Sequence, residues 1–154
     1  MKAERVVCDT NVLISAAIMP DSKARQVLDH VVHTATLLIC DAMIDELATR
    51  LARPKFDRYV SDTDRDEFMQ LVTLLSERVA ITARSHGVRD PDDDKIIETA
   101  IAGGADCLVT GDKYLLALRP AGENGKAESV AAAQFQGVAI LKPAEYLDLT
   151  APQA

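Results

Sequence analysis

Four aspartates fall within five positions, Asp90, Asp92, Asp93 and Asp94, directly ahead of the apolar residues Ile96, Ile97, Ala100 and Ile101. Acids at a helix start are favoured on their own account, since the unpaired N–H groups and the helix dipole stabilise each negative charge by up to about 1 kcal/mol. One or two of these carboxylates therefore need no further role. Elsewhere Asp9 directly follows an apolar run in VVCDTNVLI, Asp112 follows another in CLVTGD, and Glu46 sits early in the helical pattern CDAMIDEL. Carboxylates brought together repel, and without compensation some take up protons. A divalent cation removes that conflict, and Mg²⁺ or Mn²⁺, which prefer oxygen ligands and keep several waters, suits such a set.

Whether the acids meet depends on the elements that carry them. Short apolar runs at 5–8 (RVVC), 37–40 (LLIC), 79–82 (VAIT), 107–110 (CLVT) and 138–141 (VAIL) alternate with amphipathic stretches at 12–17, 22–32, 42–51, 63–78, 93–102, 113–118 and 144–147. This alternation predicts an α/β fold of three layers, α/β/α, around a central parallel sheet of about five strands. Caps are expected at Asp21 or Ser22, at Asp41, at Asp62 or Thr63, and at Asp92 or Asp93, with Gly103 and Gly104 stopping the fifth helix. The segment 119–137, rich in glycine and small polar residues, reads as a flexible loop with a helical turn near 128–135. Residues 1–154 read as one domain.

In a parallel sheet, ligands bind outside the carboxyl ends of the strands, where strand order reverses. Asp9 and Asp112 occupy such ends, Asp94 opens the helix that feeds the fourth strand, and Glu46 lies in the helix after the second. A central first strand flanked by the second and fourth brings all four into one crevice. Each acid also has a structural alternative. Asp9 and Asp112 could cap helices, Asp45 competes with Glu46, and Asp92 and Asp93 compete with Asp94.

Composition narrows the classes. Seventeen basic against 24 acidic side chains give a net charge of −7, which argues against a broad basic surface for nucleic acid. Cys8, Cys40 and Cys107 each lie in an apolar run and read as buried thiols, while His30, His33 and His86 show no zinc-ligand spacing with them. No apolar run reaches membrane length and the start MKAERVV has no signal-peptide core, so the expectation is a cytoplasmic protein without a membrane partner. Neither a GxxxxGK[ST] phosphate loop nor a GxSxG elbow occurs.

Over nearly its whole length the chain resembles the PIN-domain ribonucleases, which include the toxin subunits of bacterial toxin–antitoxin pairs. CDTNVLISA is similar to the opening strand motif of that family, CDAMIDEL to its helix with the second acid, DPDDDKIIETAIAGGADCLVTGD to the segment with the third and fourth acids, and GVAILKPAEYL to its closing strand and turn. The resemblance implies Asp9, Glu46, Asp94 and Asp112 as catalytic, metal-binding acids for Mg²⁺ or Mn²⁺. It implies support from Asn11, near Asp9, and from Thr110, whose hydroxyl can orient Asp112. Lys95, Lys113 and Arg50 are candidates for contacting RNA phosphates. The implied substrate is single-stranded RNA, and the implied partners are an antitoxin protein and a second copy of the chain. Two departures stand out: Lys113 and Tyr114 occupy the place where many relatives carry a further acid, and the 119–137 segment is long.

Two rival readings remain. A haloacid-dehalogenase-type phosphatase needs a second aspartate two positions after its nucleophile, and Asn11 stands there. A non-catalytic module of the same fold, binding RNA or protein, would not need all four acids.

Overall fold

The structure, a computed structural model, describes residues 2–82, 91–120 and 134–152, and of residues 91 and 92 only the backbone. The run RVVC forms β1 (Arg5–Cys8), in which Val6, Val7 and Cys8 have no exposed surface. A strand buried on both faces belongs inside a parallel sheet covered by helices. β1 pairs in parallel with β2 (Thr36–Ile39) on one side and β4 (Cys107–Val109) on the other. Beyond β2 lies β3 (Ser76–Arg78), beyond β4 lies β6 (Val138–Leu141), and β5 (Gln134–Phe135) closes that edge antiparallel to β6. The order β3-β2-β1-β4-β6-β5 makes a mostly parallel sheet of six strands in an α/β fold. The chain starts at the centre, runs out through β2 and β3, and returns to place β4 on the opposite flank. Strand order thus reverses between β1 and β4, the switch point at which ligands of parallel sheets bind.

Seven helices join these strands among the described residues: α1 (Thr10–Ile18), α2 (Lys23–Thr34), α3 (Asp41–Leu51), α4 (Asp62–Leu75), α5 (Pro91–Ala102), α6 (Lys113–Leu116) and α7 (Pro143–Thr150). Side-chain caps fix several starts. Ser22 accepts from the Arg25 amide, and Ser61 and Asp64 form a reciprocal capping box. Leu13, Leu28, Met43, Ile97 and Tyr146 of the helices are fully buried in one core with Leu38 and Leu108 of the sheet. Full burial of one such side chain contributes about 1.5–3 kcal/mol. The Tyr146 hydroxyl and His30 Nδ1 share a 2.8 Å hydrogen bond that ties α7 to α2. None of the described helices is long and apolar enough to cross a membrane.

Four expectations need correction. The third strand is Ser76–Arg78, not 79–82, and α4 stops at Leu75. At a sheet edge the ladder does not require apolar side chains, and here Glu77 pairs with Arg5 and Arg78 with Asp41. Val79 is buried just past the strand and donates its amide to Ile39 O at 2.8 Å, which explains its strand-like signal. The fifth helix begins at Pro91 rather than at residue 93, because a proline's fixed φ suits the first helical position. Asp92 and Asp93 are therefore first-turn residues and not caps. Cys40 occupies the cap position of α3 without a side-chain bond, and Asp41 is the first helical residue. Ser61, rather than Asp62 or Thr63, caps α4.

The additional strand, β5, lies in the stretch read as loop. Gln136 (φ 50°) and Gly137 (φ 87°) are the two central residues of the β5–β6 hairpin, and two consecutive positive φ angles are what a type I′ turn requires. Residues 121–133, with most of the expected helical turn, lie outside the described residues, as do Asp90 and His86.

Candidate active site

Asp9 leaves the carboxyl end of β1 with its amide donating to Val109 O of β4 at 2.9 Å, so the backbone places it at the β1/β4 boundary. Its side chain is only 3% exposed. Thr110, fully buried at the end of β4, donates its hydroxyl to Asp9 Oδ2 at 2.7 Å and accepts from the Asp112 amide at 2.9 Å. Asp9 Oδ1 accepts from the Asn11 amide at 3.3 Å, which caps α1. Asp112 caps α6, its Oδ1 accepting from the amides of Tyr114 at 2.7 Å and Leu115 at 3.4 Å. The capping alternatives for Asp9 and Asp112 are thus real, and they coexist with the crevice position.

From Asp9 the network continues across the crevice. Arg50 donates to Asn11 Oδ1 at 3.0 Å and lies 3.6 Å from Glu46 Oε1, while Lys95 pairs with Glu46 Oε2. The Glu46 and Lys95 side chains are only 14% and 15% exposed, which sets this pair apart from the solvated ion pairs at the surface. Asp45 is exposed, so of the two acids in CDAMIDEL it is Glu46 that faces the network. Asp94 is half-buried in the first turn of α5 beside Lys95, and the neighbouring Asp93 is buried. Lys113 is exposed, with its ammonium 5.2 Å from the Tyr114 ring centroid.

Burial pushes the Asp9 carboxyl above the ordinary carboxylate range. Hydrogen bonds from Thr110 and Asn11 oppose that rise, and the negative charges of Asp112 and Glu46 add to it. Asp112 and Glu46 therefore lie within electrostatic reach of Asp9, and the three share one negative field. The donor chemistry fits a hard divalent cation. The arrangement is not that of a closed site: among the described residues, no group of three or more His, Cys, Asp or Glu side chains stands as metal ligands do. Glu46 is held by Lys95 and Arg50 instead.

Other candidates resolve into structure. Cys8, Cys40 and Cys107 are free and buried, and burial pushes the Cys107 thiol up to about 12. His30 joins Tyr146, and His33 meets the Asp29 carbonyl at 2.6 Å, so neither enters the crevice. A cavity of about 420 Å³ lined by Ile18, Tyr59, Phe68 and Leu71 contains none of the four acids. An open pocket of about 340 Å³ lined by Asp45, Glu46, Thr49, Arg50 and Arg53 borders the network. The link between Arg50 and Asn11 and the grip of Lys95 on Glu46 are not legible in the sequence. Only the i, i+4 spacing of Glu46 and Arg50 hints at part of it.

Comparison with known proteins agrees with this fold. The PIN domain family matches residues 5–114, and the chain belongs to that family. An uncharacterized protein of Methanocaldococcus jannaschii is 30% identical over 119 residues, 75% of each chain. A crystal structure of VapBC2 from Rickettsia felis, bound to a DNA fragment from their promoter, is similar in fold, with a TM-score of 0.51 at 17% identity. That match covers 70% of this chain and 87% of the other.

Proposed function

We propose that this protein is a Mg²⁺- or Mn²⁺-dependent endoribonuclease that hydrolyses phosphodiester bonds of single-stranded RNA. The observation that carries the reading is the buried carboxylate of Asp9 at the β1/β4 switch point, tied through Thr110 to Asp112 and sharing its negative field with Glu46. Membership of the PIN family, whose members are typically Mg²⁺-binding nucleases, gives that field its chemistry.

Asp9, Asp94, Asp112 and Glu46 would hold the cation. When bound, such an ion supplies an activated water and stabilises charge on the leaving oxygen. The chain's own contribution is position. Thr110 fixes the Asp9 carboxylate and the turn that carries Asp112, and Asn11 fixes the other Asp9 oxygen through its amide. Arg50 and Arg53, lining the pocket beside Glu46, lie where phosphates flanking the cleaved bond would pass, with Lys95 and Lys113 on the α5 and α6 sides. A chain of net charge −7 needs such local cations to hold RNA at all.

The biological setting we infer is the toxin half of a toxin–antitoxin pair, acting in the cytoplasm, with an antitoxin and a second copy of the chain as partners. Support comes from the fold likeness to VapBC2, whose structure was determined with promoter DNA. A second reading, a non-catalytic binding module, is favoured by one feature: the Glu46 carboxylate is already engaged by two cations.

The test incubates the protein with single-stranded RNA, matched DNA and a phosphomonoester, in Mn²⁺, Mg²⁺ or EDTA, beside Asp9→Asn. RNA cleavage that needs metal and disappears in the variant supports the nuclease. Equal cleavage by Asp9→Asn refutes the assignment of the reaction to Asp9, and a folded, metal-binding protein that cleaves nothing favours the module.

A further inference from the structure

We infer that Lys95 and Arg50 form an internal cation clamp on Glu46, and that this clamp sets how tightly the acid crevice takes a divalent ion. The inference rests on the metal-binding reading above.

Three observations carry it. Lys95 and Arg50 engage different oxygens of one carboxylate, Lys95 at Oε2 and Arg50 at Oε1. Neither cation is a mobile surface group: the Lys95 and Arg50 side chains are 15% and 28% exposed, and Arg50 is further fixed by its 3.0 Å bond to Oδ1 of Asn11, the second residue of the helix that Asp9 caps. The negative charge of Glu46 reaches Asp9, so the carboxylate that the clamp holds belongs to the same set of interacting acids.

Two consequences follow from simple electrostatics. The clamp supplies, from the protein itself, part of the positive charge that the crowded carboxylates require, and so lets the crevice fold without metal. It also opposes an incoming ion twice, by occupying the Glu46 oxygens and by direct like-charge repulsion through a partly desolvated medium. Lys95 and Arg50 are thus positioning residues that act through Glu46. Release of Glu46 to the ion frees two cations beside the crevice, suited in charge to a phosphate of bound RNA.

The experiment measures Mn²⁺ binding without RNA, by calorimetry and by the loss of free-ion electron paramagnetic resonance signal, for the native chain, Lys95→Met and Asp9→Asn. The clamp predicts that Lys95→Met binds Mn²⁺ about tenfold more tightly, the effect of deleting one nearby like charge, while Asp9→Asn binds more weakly than the native chain. Unchanged or weaker binding by Lys95→Met, with binding impaired in Asp9→Asn, overturns the clamp and leaves the metal reading intact. Native-like binding by Asp9→Asn overturns the metal reading itself. Should Lys95→Met fail to fold, Arg50→Gln takes its place under the same prediction.

Discussion

Thr110 and Asp9 are 101 positions apart in the chain, yet the Thr110 hydroxyl donates to Asp9 Oδ2 at 2.7 Å while accepting from the Asp112 amide at 2.9 Å. One buried hydroxyl therefore links two of the acids and satisfies a carboxylate oxygen that water does not reach freely. Thr110→Val keeps the shape and removes that oxygen, leaving an acceptor and a donor short of partners. It should cost about 1–3 kcal/mol in urea unfolding, with Thr110→Ser retaining most of the stability. Equal stability of Thr110→Val and the native chain would show that the hydroxyl carries no such duty.

Asp9 gives a pH dependence of defined sign. Burial raises its carboxyl in the folded protein, so the folded state holds that proton more tightly than the unfolded chain does. Ionising Asp9 therefore lowers stability as pH rises from the unfolded value of about 3.9 through the raised folded value, and the cost is complete above it. Asp9→Asn removes the charge and keeps a capping side chain. In EDTA at pH 8 it should melt about 2–4 °C above the native chain, and the gap should close as pH falls through that window. A gap that ignores pH would refute the assignment to Asp9 ionisation.

The positions of the acids on their elements are legible in the sequence because the signals are local: an acid directly after a strand, or in the first turn of a helix, is fixed by element order alone. Asp9, Thr110 and Asp112 needed only the β1 and β4 runs to be found. The third strand was misplaced because Ser76, Glu77 and Arg78 lie at an edge and carry no apolar signature, while buried Val79 just beyond them does. The β5 hairpin was missed because a two-residue strand is set by its turn, and Gln136 is an unusual residue at positive φ. The Lys95 contact with Glu46 joins α5 to α3 across 49 positions, and no spacing rule announces it.

Gly103 tests how closely α5 approaches the sheet. A Cβ built there would lie 2.9 Å from Leu38 Cδ1, in the sheet, and 2.9 Å from the Thr99 carbonyl in the last turn of α5. Backbone cannot yield as a flexible side chain does, so Gly103→Ala should destabilise by about 1–3 kcal/mol. Gly104→Ala also costs stability, through its φ of 64° rather than through crowding. Repacking shows in crowding alone: a Leu38→Val background should recover part of the Gly103→Ala loss and none of the Gly104→Ala loss. Denaturant unfolding of the two double variants distinguishes these cases.

The Glu46 and Lys95 pair lends itself to a double-mutant cycle in the absence of metal. With each side chain about 85% removed from solvent, deleting one partner leaves a poorly hydrated charge, and such losses run to about 3–5 kcal/mol for fully buried pairs. Here some solvent remains and Arg50 also touches Glu46, so Lys95→Met and Glu46→Gln should each cost about 1–3 kcal/mol. The double variant keeps Arg50 on Asn11 Oδ1 and strands neither charge, so it should fall well short of the summed loss. A coupling above about 0.5 kcal/mol marks a true interaction. Additive losses would mean that Lys95 and Glu46 are merely adjacent, and that the negative field around Asp9 is balanced elsewhere.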